Sequence, residues 1–476
     1  MTMNDLEYRA YRRELLMTAN DSEYGDVGRE LQWITPSKAG EAEKIREATL
    51  KTMGEGLNWM FSQTKAYTGA LSPGCLLCGQ GSWSCLFING KCNCRCFYCP
   101  TSQDDESVPT TNRLSFTRAA DYSDYVRDFG FKGVSISGGE PLLTFDKTLK
   151  FIQTVRQNNG DGLHIWMYTN GTLLTEDHVL KLKDAGLSEI RFDLSARDYD
   201  LERLRLAVGH IPVVTVEIPA IPEDRQILAN LIPVMHDSGV NHLNLHQMRL
   251  TPHNSRFLKS RDYTFVHGEK VTVLESELTA LSILGQALSE NWKLPINYCA
   301  FAYKNQFQRA ASRKRNACFI IKPHESLTES GFIRSLALCG DLRILGENAG
   351  RLMAEDPGKT LWQQTTGSSS RILFHEDLFS LLDFKGCDLA VAYSEAVVSP
   401  GLSYHNPFKE IRLNSGKKIY VEKQGRKKDL ILNDKQIQWF GRAVLGRTEG
   451  CEQSSDEITG ECSGYEFIQK GLQEYF

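Results

Sequence analysis

With 476 residues, 41% of them apolar and 24% charged, the chain is too long for a disulfide-stapled mini-domain and too apolar for a disordered one, and it has room for about two or three domains. Its net charge of −4, from 55 basic and 59 acidic residues, leaves no global electrostatic footprint for nucleic acid or an anionic membrane surface. The start, Met-Thr-Met-Asn-Asp-Leu-Glu, lacks the apolar stretch of a signal sequence, and no apolar run approaches the roughly 18 residues of a membrane span. A cytoplasmic protein is expected, and 13 cysteines, an odd number, fit a reducing compartment better than a disulfide framework.

Residues 1–70 carry helical periodicity. Leu6, Tyr8, Tyr11, Leu15 and Leu16, then Ile45, Leu50, Met53, Leu57 and Met60, predict an N-terminal extension of amphipathic helices. Pro73-Gly74 ends it. From 71 to 291 strand and helix patterns alternate. Strands are predicted at 83–88, 133–137, 163–169, 189–194, 212–218 and 241–247, and helices at 117–129, 146–158, 175–185, 199–208, 223–238 and 274–290. This rhythm predicts a parallel sheet curled into a partial (βα)6 TIM-like barrel, with sites at the C-terminal ends of the strands.

The first strand runs into the densest chemistry in the chain. Between Cys75 and Pro100 lie Cys75, Cys78, Cys85, Cys92, Cys94, Cys96 and Cys99. Among them Cys92, Cys96 and Cys99 have the spacing Cys-x3-Cys-x2-Cys, with Tyr98 before the last. Three thiolates from one loop can hold three irons of a [4Fe–4S] cluster and leave the fourth open. A zinc knuckle or a disulfide knot is the bland alternative for the triplet alone.

The triplet with Tyr98 and Pro100, followed by Ser137-Gly138-Gly139-Glu140-Pro141 after the second strand, resembles the radical S-adenosylmethionine (SAM) superfamily. The resemblance implies a [4Fe–4S] cluster on Cys92, Cys96 and Cys99 whose open iron binds SAM, and one-electron cleavage of SAM to a 5′-deoxyadenosyl radical. It also implies that Gly138, Gly139 and Glu140 receive the SAM ammonium. Glycines allow close backbone approach and a carboxylate suits a cation. At the third and fourth strand tips, Asn170 with Gly171 and Asp193 with Ser195 suit ribose hydroxyls and the SAM carboxylate, with an ordinary turn as the alternative for Asn170-Gly171.

Strands four to six also resemble the glycyl-radical-enzyme activases. Asp193 and His246 match them, whereas Ser195 stands in place of Lys and Glu217 in place of Arg, which removes two positive charges and weighs against an activase. A hydrogen-bonded strand-end histidine is the alternative for His246. Cys75, Cys78, Cys85 and Cys94 are left over by the triplet, and four thiolates suit one tetrahedral iron or zinc. This upstream segment resembles the methanogen enzyme that methylates an arginine of methyl-coenzyme M reductase, in which a cysteine-rich loop binds a single iron. That enzyme holds cobalamin without the Asp-x-His-x-x-Gly signature, which is absent here too.

Residues 292–366 read as a connector with a helix at 300–315 collecting Lys304, Arg309, Arg313, Lys314 and Arg315, either a surface for an acidic substrate or a solvated helix face. Gly367-Ser368-Ser369-Ser370 reads as a linker. Residues 367–476 are expected to form an α+β domain of short strands, with a polar loop at 447–463 and a closing helix, Tyr465–Phe476. The expected function is a radical SAM enzyme that modifies a protein or peptide, methylation included, drawing electrons from a donor such as flavodoxin or ferredoxin. An activase and a non-catalytic iron–sulfur or zinc protein are the alternatives.

Overall fold

The computed structural model describes residues 5–365, 370–446 and 457–476. Most of the linker at 367–370 and of the polar loop at 447–463 lies outside the described residues. Two compact units divide the chain: Arg13–Gln308 with Leu413–Lys417 and Gln469–Phe476, and Met1–Arg12 with Arg309–Arg412 and Lys418–Ile468.

In the first unit the N-terminal segment is helical, as the periodicity predicts. It contains α1 (Asp5–Arg29), whose last part belongs to this unit, and α2 (Pro36–Met53), capped by Thr35, whose side chain accepts from Lys38 N, with Pro36 in the first turn. Proline fits there because the first helical N–H groups lack partners. The extension does not stay helical, however. Asn58–Met60 (β1) and Lys65–Tyr67 (β2) form an antiparallel hairpin. Trp59 and Met60 fit helical spacing equally well, so the short pair was hidden in the pattern.

Next come α3 (Pro73–Gly79), β3 (Trp83–Lys91), α4 (Ala119–Asp128), β4 (Gly133–Gly138), α5 (Phe145–Asn159), β5 (His164–Thr169), α6 (Glu176–Asp184), β6 (Glu189–Phe192), α7 (Glu202–Arg205), β7 (Val213–Pro219), α8 (Arg225–Asp237), β8 (His242–His246), α9 (Leu274–Ser289) and β9 (Ile296–Cys299). The sheet order is β1-β2-β9-β8-β7-β6-β5-β4-β3, and every pair from β3 to β9 is parallel. The six expected strands are present, and β9 adds a seventh. Its four buried residues, Ile-Asn-Tyr-Cys, are too few to show a period. The sheet is curled, since Cys85 on β3 lies within electrostatic reach of Arg191 on β6 and Glu217 on β7.

The core follows the parallel-sheet rule that strands covered on both faces are apolar throughout. Ile136, Ile165, Met167, Ile190, Val216, Ile218, Leu243 and Leu245 are fully buried. The chain's last residues join this unit without forming the expected closing helix. Gly471, at φ 91°, donates to Ser62 O, and Tyr475 OH donates to Glu277 Oε1 at 2.5 Å with Arg46 stacked over its ring. Its aromatic residues therefore act as anchors of an extended tail, and the last helix is Glu457–Glu466.

The second unit is an antiparallel sheet with helices, the α+β architecture expected, but it takes in the chain from Arg309, so most of the stretch expected as a connector at 292–366 supplies three strands of this sheet instead. Its strands are β10 (Glu325–Leu327), β11 (Ile333–Cys339), β12 (Trp362–Thr365), β13 (Arg371–Phe374), β14 (Asp388–Ser399), β15 (Phe408–Arg412) and β16 (Lys418–Leu432). Their order is β12-β13-β11-β14-β16-β15, with β10 beside β11. Leu336, Leu338, Leu345, Trp362, Phe374 and Phe440 fill its core. Arg334 is buried beside Glu466, which Tyr393 OH also reaches at 2.7 Å. A buried charge is tolerated when it is paired and hydrogen-bonded in this way.

Candidate active site

The cysteine loop leaves β3 at its C-terminal end, and the Gly-Gly-Glu-Pro turn leaves β4 beside it. The two are joined backbone to backbone: Gly139 N donates to Asn89 O at 2.9 Å and Glu140 N to Lys91 O at 2.8 Å. Both glycines are required by this approach. A Cβ on Gly138 would lie 2.1 Å from Asn89 O, and one on Gly139 would lie 2.0 Å from Lys91 O. Gly138 also sits at φ 130°, which favours glycine.

Glu140 is 1% exposed. One carboxylate oxygen accepts from Leu142 N at 2.9 Å and Thr169 Oγ1 at 2.8 Å, and the other from Asn170 N at 2.7 Å. Burial pushes its pKa up to about 7 against the pull of these donors. The carboxylate thus fastens the β4 turn to the tip of β5 and is not held open for a ligand.

Asn170 continues the link. Its Nδ2 donates to Asn93 Oδ1 at 2.9 Å and lies 3.7 Å from Cys92 Sγ, while its Oδ1 accepts from Thr172 N and Oγ1. Cys94 N points at Cys92 Sγ from 3.4 Å. Tyr98 anchors the far side of the loop. Its OH donates to Asp193, 2.9 Å from Oδ2, and lies 2.6 Å from Ser195 Oγ, which itself donates to Asp193 Oδ1 at 2.5 Å. Burial raises the Asp193 pKa against these donors. Two residues without a sequence signal complete the clamp: Asn254 Nδ2 donates to Tyr98 O and Thr251 Oγ1 to Pro100 O, each at 3.1 Å. They stand after β8, and only the fold brings them under the loop.

Cys92, Cys96 and Cys99 are free and half-buried, and their charges would act on one another. Burial pushes the Cys96 thiol up to about 12 and Cys94 to about 11.

The other four cysteines do not form one site. Cys94 Sγ lies beside Ala196 O, in the cluster loop. Cys85 faces the barrel lumen near Ser135, and burial pushes it up to about 11. Cys75 and Cys78 stand on α3, where Asn244 Nδ2 reaches Cys75 Sγ at 3.2 Å and Gln308 Nε2 reaches Cys78 Sγ at 2.5 Å. Their thiol neighbour is Cys299 on β9. Among the described residues no three Cys, His, Asp or Glu side chains converge as ligands of a single ion. Four thiols summed along the sequence are thereby spread over three places. A [4Fe–4S] cluster makes no such demand, because each iron takes its own thiolate.

His246 lies apart from the cysteine loop, in the lumen. Its Nε2–H donates to Glu217 Oε1 at 2.5 Å and its Nδ1 accepts from Lys304 Nζ at 2.9 Å. Burial and the Lys304 charge lower its pKa. Glu217 also accepts from Arg191 NH1 at 2.5 Å and Asn244 at 2.9 Å. Arg191 on β6 and Lys304 after β9 thus place positive charge beside Glu217 and His246. Burial would raise the pKa of Glu217, but Arg191 and His246 hold it well below the usual carboxylate range.

A curled parallel sheet with a three-thiol loop fastened to a glycine-rich turn at its C-terminal edge defines an iron–sulfur enzyme of the SAM-cleaving type. Residues 86–226 match the radical SAM superfamily. A Methanocaldococcus jannaschii protein named for the glycyl-radical enzyme activating enzymes is 30% identical over 55% of this chain and 72% of its own, and the chain belongs to the radical SAM superfamily. The GTP 3′,8-cyclase of Campylobacter jejuni is 23% identical over 61% of this chain and 95% of its own. SuiB of Streptococcus suis superposes with a TM-score of 0.34 at 14% identity, over 45% of this chain and only 47% of its own. The family implies a [4Fe–4S] cluster and SAM, and a loop of three soft, free thiols with N–H donors turned toward Cys92 Sγ has the chemistry to fit them. No helix among the described residues is long and apolar enough to cross a membrane.

Proposed function

We propose that Cys92, Cys96 and Cys99 hold the cluster and that this chain cleaves SAM to modify a protein or peptide, with methyl transfer as the reaction to test first. When bound, the cluster supplies one electron to SAM and the bond between its sulfur and C5′ breaks. The observation that carries the reading is the fastening of the thiol loop to the Gly-Gly-Glu-Pro turn through Asn89, Lys91 and Asn170. Gly138 and Gly139 offer backbone to the SAM ammonium, with Glu140 fixing that backbone from behind. Asn170, Asp193 and Ser195 present polar groups at neighbouring strand tips. Tyr98 orients the loop through Asp193, and His246 belongs with the substrate end of the lumen.

The protein-substrate part rests on the likeness to the activating enzyme, a protein named for acting on another enzyme. The same likeness favours a second reading, in which this chain places a glycyl radical on a partner.

Anaerobic reconstitution, reduction and quantification of 5′-deoxyadenosine test the first step. The parent should form it and Cys92→Ala/Cys96→Ala/Cys99→Ala should not; equal rates would remove the assignment. SAM labelled in its methyl group then separates the two readings. Label in protein supports methylation, whereas an unlabelled partner carrying an organic radical by electron paramagnetic resonance supports the activase. The single iron or zinc expected on Cys75, Cys78, Cys85 and Cys94 is not proposed, because those thiols stand in three places; cobalamin content tests for a methyl carrier.

A further inference from the structure

Inside the barrel of the first unit Lys304 donates to His246, and Lys65 lies within electrostatic reach of the same ring. Lys65, on β2, is 1% exposed. Its Nζ lies 4.5 Å above the Tyr303 ring, and no hydrogen bond or ion pair to another described residue reaches it. Burial works against its charge, but the Cys299, Cys75 and Cys78 sulfurs and the Glu217 carboxylate outweigh it and raise the pKa, so the ammonium group stays charged. Glu217 is already taken, since its oxygens accept from Arg191, His246 and Asn244. Lys304 donates one proton to His246 Nδ1, and an ammonium group has three.

The charges around this point do not balance. Arg191, Lys65 and Lys304 face two carboxylates, Glu189 and Glu217, and both of these bind Arg191. A ring face offsets only part of a buried cation's lost hydration. The chain also adopts a costly conformation just before Lys65: Phe61, Ser62 and Gln63 have φ of 53°, 50° and 61°, a left-handed run that L-residues avoid. Strain of this kind persists where the surrounding structure enforces it and is frequent at ligand sites.

We infer that the lumen beside His246 is an anion site, in which Lys65 and Lys304 receive a carboxylate of the substrate. The site rests on the burial of Lys65 over the Tyr303 ring and on the bond from Lys304 to His246, and the choice of a peptide carboxylate rests on the proposed protein or peptide substrate. Lys65 supplies the buried charge, and Lys304, held by His246, supplies donors beyond the one it gives to Nδ1. His246 acts here as a positioning residue, with its tautomer fixed by Glu217.

The test titrates two probes, capped glutamate and inorganic phosphate, into reconstituted full-length enzyme saturated with SAM, and reads binding by calorimetry. Capped glutamate should bind once per chain, and Lys65→Met and Lys304→Met should each weaken it tenfold or more. Lys65→Arg should retain most of the affinity, and Lys183→Met, on the exposed face of α6, should change nothing. If Lys65→Met does not fold, Lys304→Met at its half-buried position carries the test. Preference for phosphate would keep the anion site and overturn the peptide carboxylate. Probe binding seen in the SAM-free enzyme and lost in the SAM-saturated one would assign the site to the SAM carboxylate and overturn the inference. So would unchanged affinity in both variants, above all if Lys65→Met instead slowed alkylation of Cys75, Cys78 or Cys299, because Lys65 would then be the partner of a thiolate.

Discussion

Replacing Gly139 with alanine should uncouple the glycine-rich turn from the cysteine loop. The added Cβ would lie 2.0 Å from Lys91 O, 2.3 Å from the Lys91 carbonyl carbon and 2.8 Å from that of Gly90. All three are backbone atoms, so no side chain can swing aside. The two segments must separate, and with them go the bonds from Gly139 N to Asn89 O and from Glu140 N to Lys91 O. Each contributes about 1 kcal/mol net, and the three donors on the Glu140 carboxylate are disturbed as well, giving an expected loss of about 2–4 kcal/mol. For a unit of this size that corresponds to a fall in melting temperature of roughly 3–6 °C. Thermal denaturation and SAM binding of the anaerobically reconstituted protein measure it. Gly162→Ala is the control, since its Cβ would meet nothing within 4 Å. If Gly139→Ala melts within about a degree of the parent and binds SAM equally well, the coupling between the two segments has been misjudged.

Tyr98→Phe removes a donor from buried Asp193 and leaves Ser195 behind; SAM affinity should fall by roughly tenfold for a loss of about 1.4 kcal/mol, and parental affinity would separate Tyr98 from the site. Arg191→Met strands Glu189 and Glu217 in the lumen and should cost about 3–5 kcal/mol in urea denaturation. Adding Glu217→Gln should recover part of that loss, and strict additivity of the two changes would argue against the pair. Burial would raise Glu189, but Arg191 and His164 hold its pKa at about 2, below its ordinary value of 4.5. Its stabilising contribution is complete above about pH 4.5 and disappears as pH falls toward 2, so Glu189→Gln should flatten the urea midpoint over that window; an unchanged acid limb would show that another group dominates it. Cys85→Ala should leave the metal content of the reconstituted protein unchanged, because its sulfur faces Ser135 and not the cysteine loop, whereas metal lost with it would return Cys85 to the ligand set.

What is local was legible in the residues themselves. The spacing of Cys92, Cys96 and Cys99, the Gly-Gly-Glu-Pro after an apolar strand and the alternation of strand with helix are each written within a few tens of residues, and each appears where its pattern places it. The tertiary structure decided what depends on register and curl. Summing seven cysteines could not reveal that Cys85 points into the lumen, that Cys94 stays with the loop, or that Cys299 joins Cys75 and Cys78, because a strand's alternation gives two faces without saying what lies across the barrel. Glu217 looked like a lost positive charge until β6 placed Arg191 against it. Glu140 looked like a ligand group until burial turned its carboxylate toward Leu142, Thr169 and Asn170. Lys65 carried no signal at all, since a lone lysine in a three-residue strand is unremarked until folding buries it. Charge balance inside a barrel is set among strands far apart in the chain, and no periodicity records it.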